Sequence, residues 1–168
     1  KANWHLLDSV INRVERARAE GYKITADMYT YRASSTGLTG VIPTWVQEGG
    51  HRAWINRMKK PEVRERLFQD IRKELDQQPP EGILMVGFNK ASMSRKYLGK
   101  TVAEAARIRN QSPEEAIVDM IIEDDNRIQC IYFSMSEENI RKKIQIPWVS
   151  FCSDAGSYSD ITKKFRTH

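Results

Sequence analysis

Apolar residues recur along this chain in two rhythms, one helical and one extended. Leu6, Leu7, Val10, Ile11, Val14 and Ala17 fall three or four apart, which places them on one side of a helix. Gly21 stands where a left-handed turn would stop that helix, and residues 22–28 then read as a strand ending beside the acid Asp27. "TYRASSTGLTGVIPTW" is small, hydroxyl-rich and broken by Gly37, Gly40 and Pro43, so it predicts a loop. Helical spacing returns over about 44–59, and Pro61 suits the first turn of a further helix running to about Leu75. "QQPPEG" breaks the pattern, "ILMVGF" (83–88) is a short strand, and "NKASMSRKYLGK" is polar enough to read as loop. Thr101 and Glu104 fit a capping box opening "TVAEAARIR". Ser112, with Pro113 and Glu115, opens "PEEAIVDMIIED" as its N-cap. "IQCIYFSM" (128–135) is a strong strand, Ser136 caps "EENIRKKIQI", and Pro147 ends it. In "WVSFCSDAGSY" the apolar Trp148, Val149, Phe151 and Cys152 read as a buried strand, with Asp154 just past its carboxyl end and loop beyond.

Both ends of the chain are thus β/α in character and the middle is mainly helical. Strands joined through helices imply parallel pairing, and three strands qualify: 22–28, 128–134 and 148–152. Three cannot close an eight-stranded barrel. The alternatives are a small open α/β sheet or part of a larger barrel interrupted by a helical insertion. No internal repeat or low-complexity tract is present.

Composition narrows the picture little. The 168 residues match one ordinary domain, and 40% hydrophobic residues suffice for a core. The net charge of +5 is mild, and the basic residues share helices with acids, as in "RVERARAE". That reads as solvated helix faces rather than a nucleic-acid patch. Cys130 and Cys152 both lie in apolar runs and read as buried free thiols. No run of about 18 apolar residues exists to span a membrane, and no signal-like or lipidation segment is seen. The chain starts at Lys1 and stops at His168; both ends read as cut, so a longer parent is expected, of unassigned localisation and oligomeric state.

In α/β proteins ligands bind beyond the carboxyl ends of the strands. Here those ends carry Asp27, Tyr29, Tyr31, Ser34 and Ser35; then Tyr132, Ser134 and Met135; then Ser153 and Asp154. A carboxylate at Asp154 could hold a metal or relay a proton, or merely cap a loop or pair with a lysine. Tyr132 and Met135 fit ordinary core as well as a pocket wall. There is no glycine-rich phosphate loop and no GxSxG elbow. His5, His51 and His168 are far apart, and no spacing rule completes a metal site.

Three segments go further. "ITADMYTYRASSTGLTGVIPTWVQEGG" resembles the D-x-Y-P-Y strand end, S-S-T-x-L loop and "QEGG" of the D-aminoacylase (N-acyl-D-amino-acid deacylase) branch of the amidohydrolase superfamily. "GKTVAEAARIRNQSPEEAIVDMI" is similar to its G-K-T-L-A-E-x-A helix followed by D-P-x-D-A. "FSMSEENIRKKIQIPWVSFCSDAGS" is similar to its M-S-E-E-D-V and H-P-W-V-x-x-x-S-D-G run. They lie in family order and cover nearly the whole chain. Thr30 replaces the usual proline, and Ala155 intervenes between Asp154 and Gly156; neither removes a functional group.

The resemblance implies an α/β fold: late strands of a metal-dependent (β/α)8 hydrolase barrel carrying a mostly helical insertion. Residues 1–40 and 126–168 would be barrel segments, and 41–125 the inserted lid. It implies zinc in the full-length parent, with none held by this chain alone, and hydrolysis of N-acyl-D-amino acids. Asp154 would fall at the general base and metal ligand, with the other ligands outside this chain. Tyr29, Ser35, Tyr132 and Met135 would fall in the substrate pocket. The isolated segment is expected to be inactive and to take neither nucleic acid nor membrane as partner. The alternative is a non-catalytic binding or regulatory α/β domain derived from an amidohydrolase.

Overall fold

The structure is a computed structural model describing residues 3–125 and 128–155. Its elements, in chain order, begin with α1 (Leu7–Ala19), β1 (Ala26–Met28), β2 (Ser34–Gly37), α2 (Thr44–Gln47), α3 (His51–Met58) and α4 (Pro61–Gln77). There follow β3 (Ile83–Gly87), α5 (Ala91–Tyr97), α6 (Val102–Arg109), α7 (Pro113–Asp124), β4 (Gln129–Tyr132), α8 (Glu137–Ile144) and β5 (Val149–Phe151). The fold is mixed α/β, and the chain divides into two compact units. One spans Ala33–Ser134; the other comprises Ala2–Arg32 with Met135–His168.

In the Ala33–Ser134 unit, β4 is the middle strand of a three-stranded antiparallel sheet in the order β2-β4-β3. Its alternation sends Cys130 and Tyr132 inward and leaves Gln129 exposed. Ile83 and Met85 of β3 are fully buried, and the register slips between Met85 and Gly87. A Cβ at Gly87 would lie 3.1 Å from that of Gln129, so a larger residue at the bulge would have to push Gln129 aside. Around the sheet, α3, α4, α6 and α7 contribute Trp54, Ile55, Met58, Leu67, Ile71, Val102, Ile117, Met120 and Ile121 to one continuous core.

Local sequence signals explain these helices. Thr101 accepts the N–H of Glu104 while the Glu104 carboxylate takes the N–H of Thr101. Ser112 and Glu115 repeat the device on α7, and each box satisfies two otherwise orphaned donors. Pro61 opens α4 as read from sequence. Two acids are buried in this unit, Glu114 and Asp124. Burial alone would raise the pKa of Glu114, but the Arg72 guanidinium bonded to it holds it low. Fully buried Asp124 accepts the backbone N–H groups of Asn89 and Lys90, both at 2.8 Å, fixing the turn from β3 into α5.

In the second unit β1 and β5 pair in parallel, with Asp27 opposite Ser150. α1 ends as expected: Gly21 has φ +97°, its N–H reaches the Arg18 carbonyl, and the Tyr22 N–H reaches that of Ala17. Polar ties join the segments around α1 and α8 and the start of β5, beside an apolar groove lined by Leu7, Val10 and Ile140. Asn139 donates to the Trp4 carbonyl, Lys142 pairs with Asp8, and the Trp148 indole donates to Glu15. Ser136 caps α8 by accepting the Asn139 N–H.

Four expectations are corrected. The strand near 128–134 is antiparallel to both neighbours, because β2 and β3 belong to its own compact unit and not to the β1–β5 pair. "SSTG" is a strand rather than loop, recruited by the free edge of β4. "NKASMSRKYLGK" contains α5, whose Met93 and Tyr97, four residues apart, are buried. In the run read as a buried strand, Trp148 and Val149 are half-buried and Phe151 and Cys152 exposed, Phe151 at 60%. Loop beyond Ala155 lies outside the described residues.

Two outcomes follow from the buried groups. Asp124→Asn sets an amide N–H against a backbone N–H in a dry site and should cost about 1–3 kcal/mol, read as a lower urea midpoint at unchanged m. Burial pushes the Cys130 thiol up to about 12 from its ordinary 9.0. The unfolded chain therefore releases this proton first. The stability it underwrites is full below about pH 9 and lost as pH rises towards about 12. Equilibrium unfolding across that window should show the decline, and Cys130→Ala should make it shallower, the buried Tyr132 phenol contributing the same sign.

Candidate functional site

The five residues singled out from sequence divide between the two units. Tyr29, Met135 and Asp154 belong to one; Ser35 and Tyr132 belong to the other. Each group is described within its own unit.

Tyr29 follows β1 and Asp154 follows β5, so the parallel pairing brings the two carboxyl ends side by side. The ladder continues one step past the strands, where the Cys152 N–H donates to the Met28 carbonyl at 2.9 Å. Met28 is buried and anchors that end from below. Ser153, Asp154 and Ala155 then make a tight turn: the Ser153 hydroxyl accepts the Ala155 N–H at 3.3 Å, and Asp154 adopts the left-handed conformation at φ +51°. Asp tolerates that conformation better than most residues. The Asp154 carboxylate is exposed on an anchored turn.

Tyr29 is half-buried, with its ring 5.8 Å from that of Tyr31. Its pKa lies above the ordinary tyrosine value, first from burial, then from the negative charges of Asp154 and Cys152. The phenol therefore remains a hydrogen-bond donor beside the carboxylate throughout the neutral range. Cys152 was absent from the sequence-derived site, having been read as core. Its signal was its place, two residues before Asp154 on the same strand end.

Met135 lies past the end of Phe133–Ser134, with its N–H on the Arg32 carbonyl. Its side chain lines an open groove of about 410 Å³ with Trp4, Leu6, Val10 and Ile140. In the other unit, the Tyr132 hydroxyl donates to the Gly37 carbonyl at 2.9 Å, and burial pushes its pKa up. The Ser35 hydroxyl donates to the Cys130 carbonyl at 3.2 Å from the exposed side of β2.

No group of three or more His, Cys, Asp or Glu converges among the described residues. Asp154 offers one carboxylate, whereas a zinc centre takes three or four ligands. The described residues therefore do not by themselves fit a zinc site. No described helix is long and apolar enough to cross a membrane.

No protein-family model and no curated protein matches the chain. Two solved structures share its fold. One is an N-acyl-D-glutamate deacylase from Bordetella bronchiseptica, solved with zinc and a phosphonate inhibitor that mimics the tetrahedral intermediate. It aligns at TM-score 0.55 and 19% identity, over 92% of this chain and 24% of that one. The other is a D-aminoacylase described as defining a novel subset of amidohydrolases, at TM-score 0.52 and 18% identity over 92% of this chain and 23% of that one. The chain spans about a quarter of the length of each. Both are of the kind that the three sequence motifs resemble.

The geometry at the strand ends makes two measurable statements. A thiol reagent should modify Cys152 rapidly in the native chain and Cys130 only on unfolding, because one is exposed and the other fully buried. Asp154→Asn removes a negative charge near Tyr29, so the Tyr29 titration, followed by ring NMR shifts, should move down towards the ordinary tyrosine value.

Proposed function

We propose that this chain is a segment of a metal-dependent amidohydrolase that cleaves the amide of N-acyl-D-amino acids. The observation that carries the reading is the Asp154 carboxylate on an anchored turn at the end of β5, beside Tyr29 at the end of its parallel neighbour β1. Sharing a fold with two deacylases supports it. Strand-end placement is where α/β enzymes keep their catalytic groups. In this reading the segment contributes late strands of a (β/α)8 barrel, and residues 41–125 are its mostly helical insertion.

Asp154 acts as the general base and contributes to metal binding. An exposed carboxylate on a rigid turn can accept the proton of an attacking water without reorganising its own backbone. Tyr29, still protonated at neutral pH, donates to the anionic end of the substrate, and Ser35 is a further substrate contact in this reading. Tyr132 and Met135 shape the pocket. Asp154 would be one ligand of a zinc whose other ligands would lie outside these residues, and the metal would supply Lewis acidity. The substrate is a small N-acyl-D-amino acid, and neither nucleic acid nor membrane enters the reaction.

Assays of the 168-residue chain with Zn²⁺ and N-acetyl-D-amino acids should show no turnover, because one carboxylate cannot hold a catalytic zinc. In a longer protein carrying this segment, Asp154→Asn should lower kcat by about 10²–10⁴-fold. Tyr132→Phe and Met135→Ala should instead alter the preference between two N-acyl-D-amino acids. Near-parental turnover of Asp154→Asn at full zinc occupancy would reduce Asp154 to a loop cap.

A further inference from the structure

We propose that residues Ala33–Ser134 are an autonomously folding module whose stability does not draw on the rest of the chain. The inference rests on packing and pairing alone and stands whether or not the hydrolase reading does.

The core is the first reason. Every member of the continuous hydrophobic cluster lies between Leu38 and Tyr132, and so do the half-buried residues packed on it: Trp45, Val63, Phe68, Phe88 and Ile122. A piece of roughly a hundred residues is long enough to bury a self-sufficient core. By contrast, the described residues of the other unit bury two hydrophobic side chains, Met28 and Ile140. They leave Trp4, Leu6, Val10, Ile144 and Phe151 substantially exposed.

Polar satisfaction is the second reason. The buried carboxylates find their partners inside the module: Glu114 on Arg72, and Asp124 on the Asn89 and Lys90 backbone. Asp119, half-buried, is bonded by Arg64 and by Gln111. Among the described residues no buried side-chain nitrogen or oxygen lacks a partner. β4 is hydrogen-bonded along both edges from within the module. Among the described residues, neither buried carboxylate would be stranded by losing the remainder of the chain.

The third reason is where the module begins and ends. Ser34 of β2 pairs with Tyr132 of β4, and the Ser34 and Ser134 hydroxyls are 3.3 Å apart. Its two ends therefore lie side by side within its own sheet, as in inserted domains that fold alone. The β1–β5 pair is built otherwise. Parallel sheets are normally covered on both faces, yet Phe151 is exposed. Its stability as described is that of a small, half-finished sheet.

Native-state hydrogen exchange of the whole 168-residue chain in rising urea tests this. Amides of β1, β5 and α8 should exchange through one early opening, while those of β3, β4 and α7 remain protected until a later cooperative one. Ile140→Asp places a charge at a buried position of α8 in the other unit. It should speed β1 and β5 exchange at least tenfold and leave β3, β4 and α7 within about twofold. Leu67→Ala should speed exchange in β3, β4 and α7 by about 30-fold or more. If Leu67→Ala does not fold, the milder Ile117→Val should act in the same direction on the same amides. Limited trypsin digestion of the unmodified chain should leave a resistant fragment containing residues 33–134. A single opening shared by all amides would overturn the proposal. So would loss of β4 protection in Ile140→Asp as large as that in β5.

Discussion

Two-sided pairing of β4 is the constraint on which the larger unit depends. Gln129–Tyr132 is short, but it is hydrogen-bonded to β2 on one edge and β3 on the other. Its inward residues, Cys130 and Tyr132, are therefore held against α-helices whose own faces they complete. An isolated two-stranded pairing is marginal in water, whereas a third strand and a helical layer make a sheet persist. The Tyr132 hydroxyl adds a tie to the Gly37 carbonyl, so the phenol closes the end of the β2–β4 pair instead of carrying an unmatched polar group into the core. Leu38 extends the same pairing, its N–H reaching the Ile128 carbonyl at 2.7 Å.

The unit that carries Asp154 is built on a different economy. Its strands are three residues each, and its helices are tied by exposed hydrogen bonds and ion pairs, which individually contribute little. What it supplies is placement. Parallel pairing brings the ends of β1 and β5 together, Met28 anchors them, and the Ser153 turn holds the carboxylate outward. Half-burying Tyr29 beside that charge keeps the phenol protonated. A carboxylate at such a strand end costs the fold little, because Asp154 is exposed and only its backbone is constrained.

Much of this was readable from local sequence. Capping boxes act over three residues, so Thr101–Glu104 and Ser112–Glu115 announce their helices without help from the rest of the chain. The stop at Gly21 and the start at Pro61 are local in the same sense. The strands near residues 26 and 149, and the acid just past the second, were legible from their local runs; that these two strands are direct neighbours was not, since most of the chain lies between them.

Other features depended on distant partners. "SSTG" has almost no strand character of its own; it is extended because β4, some 95 residues later, offers an edge to it. The direction of β4 could not be read from the helices that flank it, since its partners in the sheet come from elsewhere in the chain. The polar look of "NKASMSRKYLGK" hid Met93 and Tyr97, whose burial is set by what packs against α5. An apolar run such as "WVSFC" states that a strand can be buried, but burial also needs something to cover it, and Phe151 and Cys152 lie exposed. By itself the sequence determined the capped helix ends, the strands near 26, 83, 129 and 149 and the acid past the last of them, because those depend on neighbours within a few residues. Tertiary structure alone decided sheet membership, strand direction and exposure, because each is a property of two segments in contact.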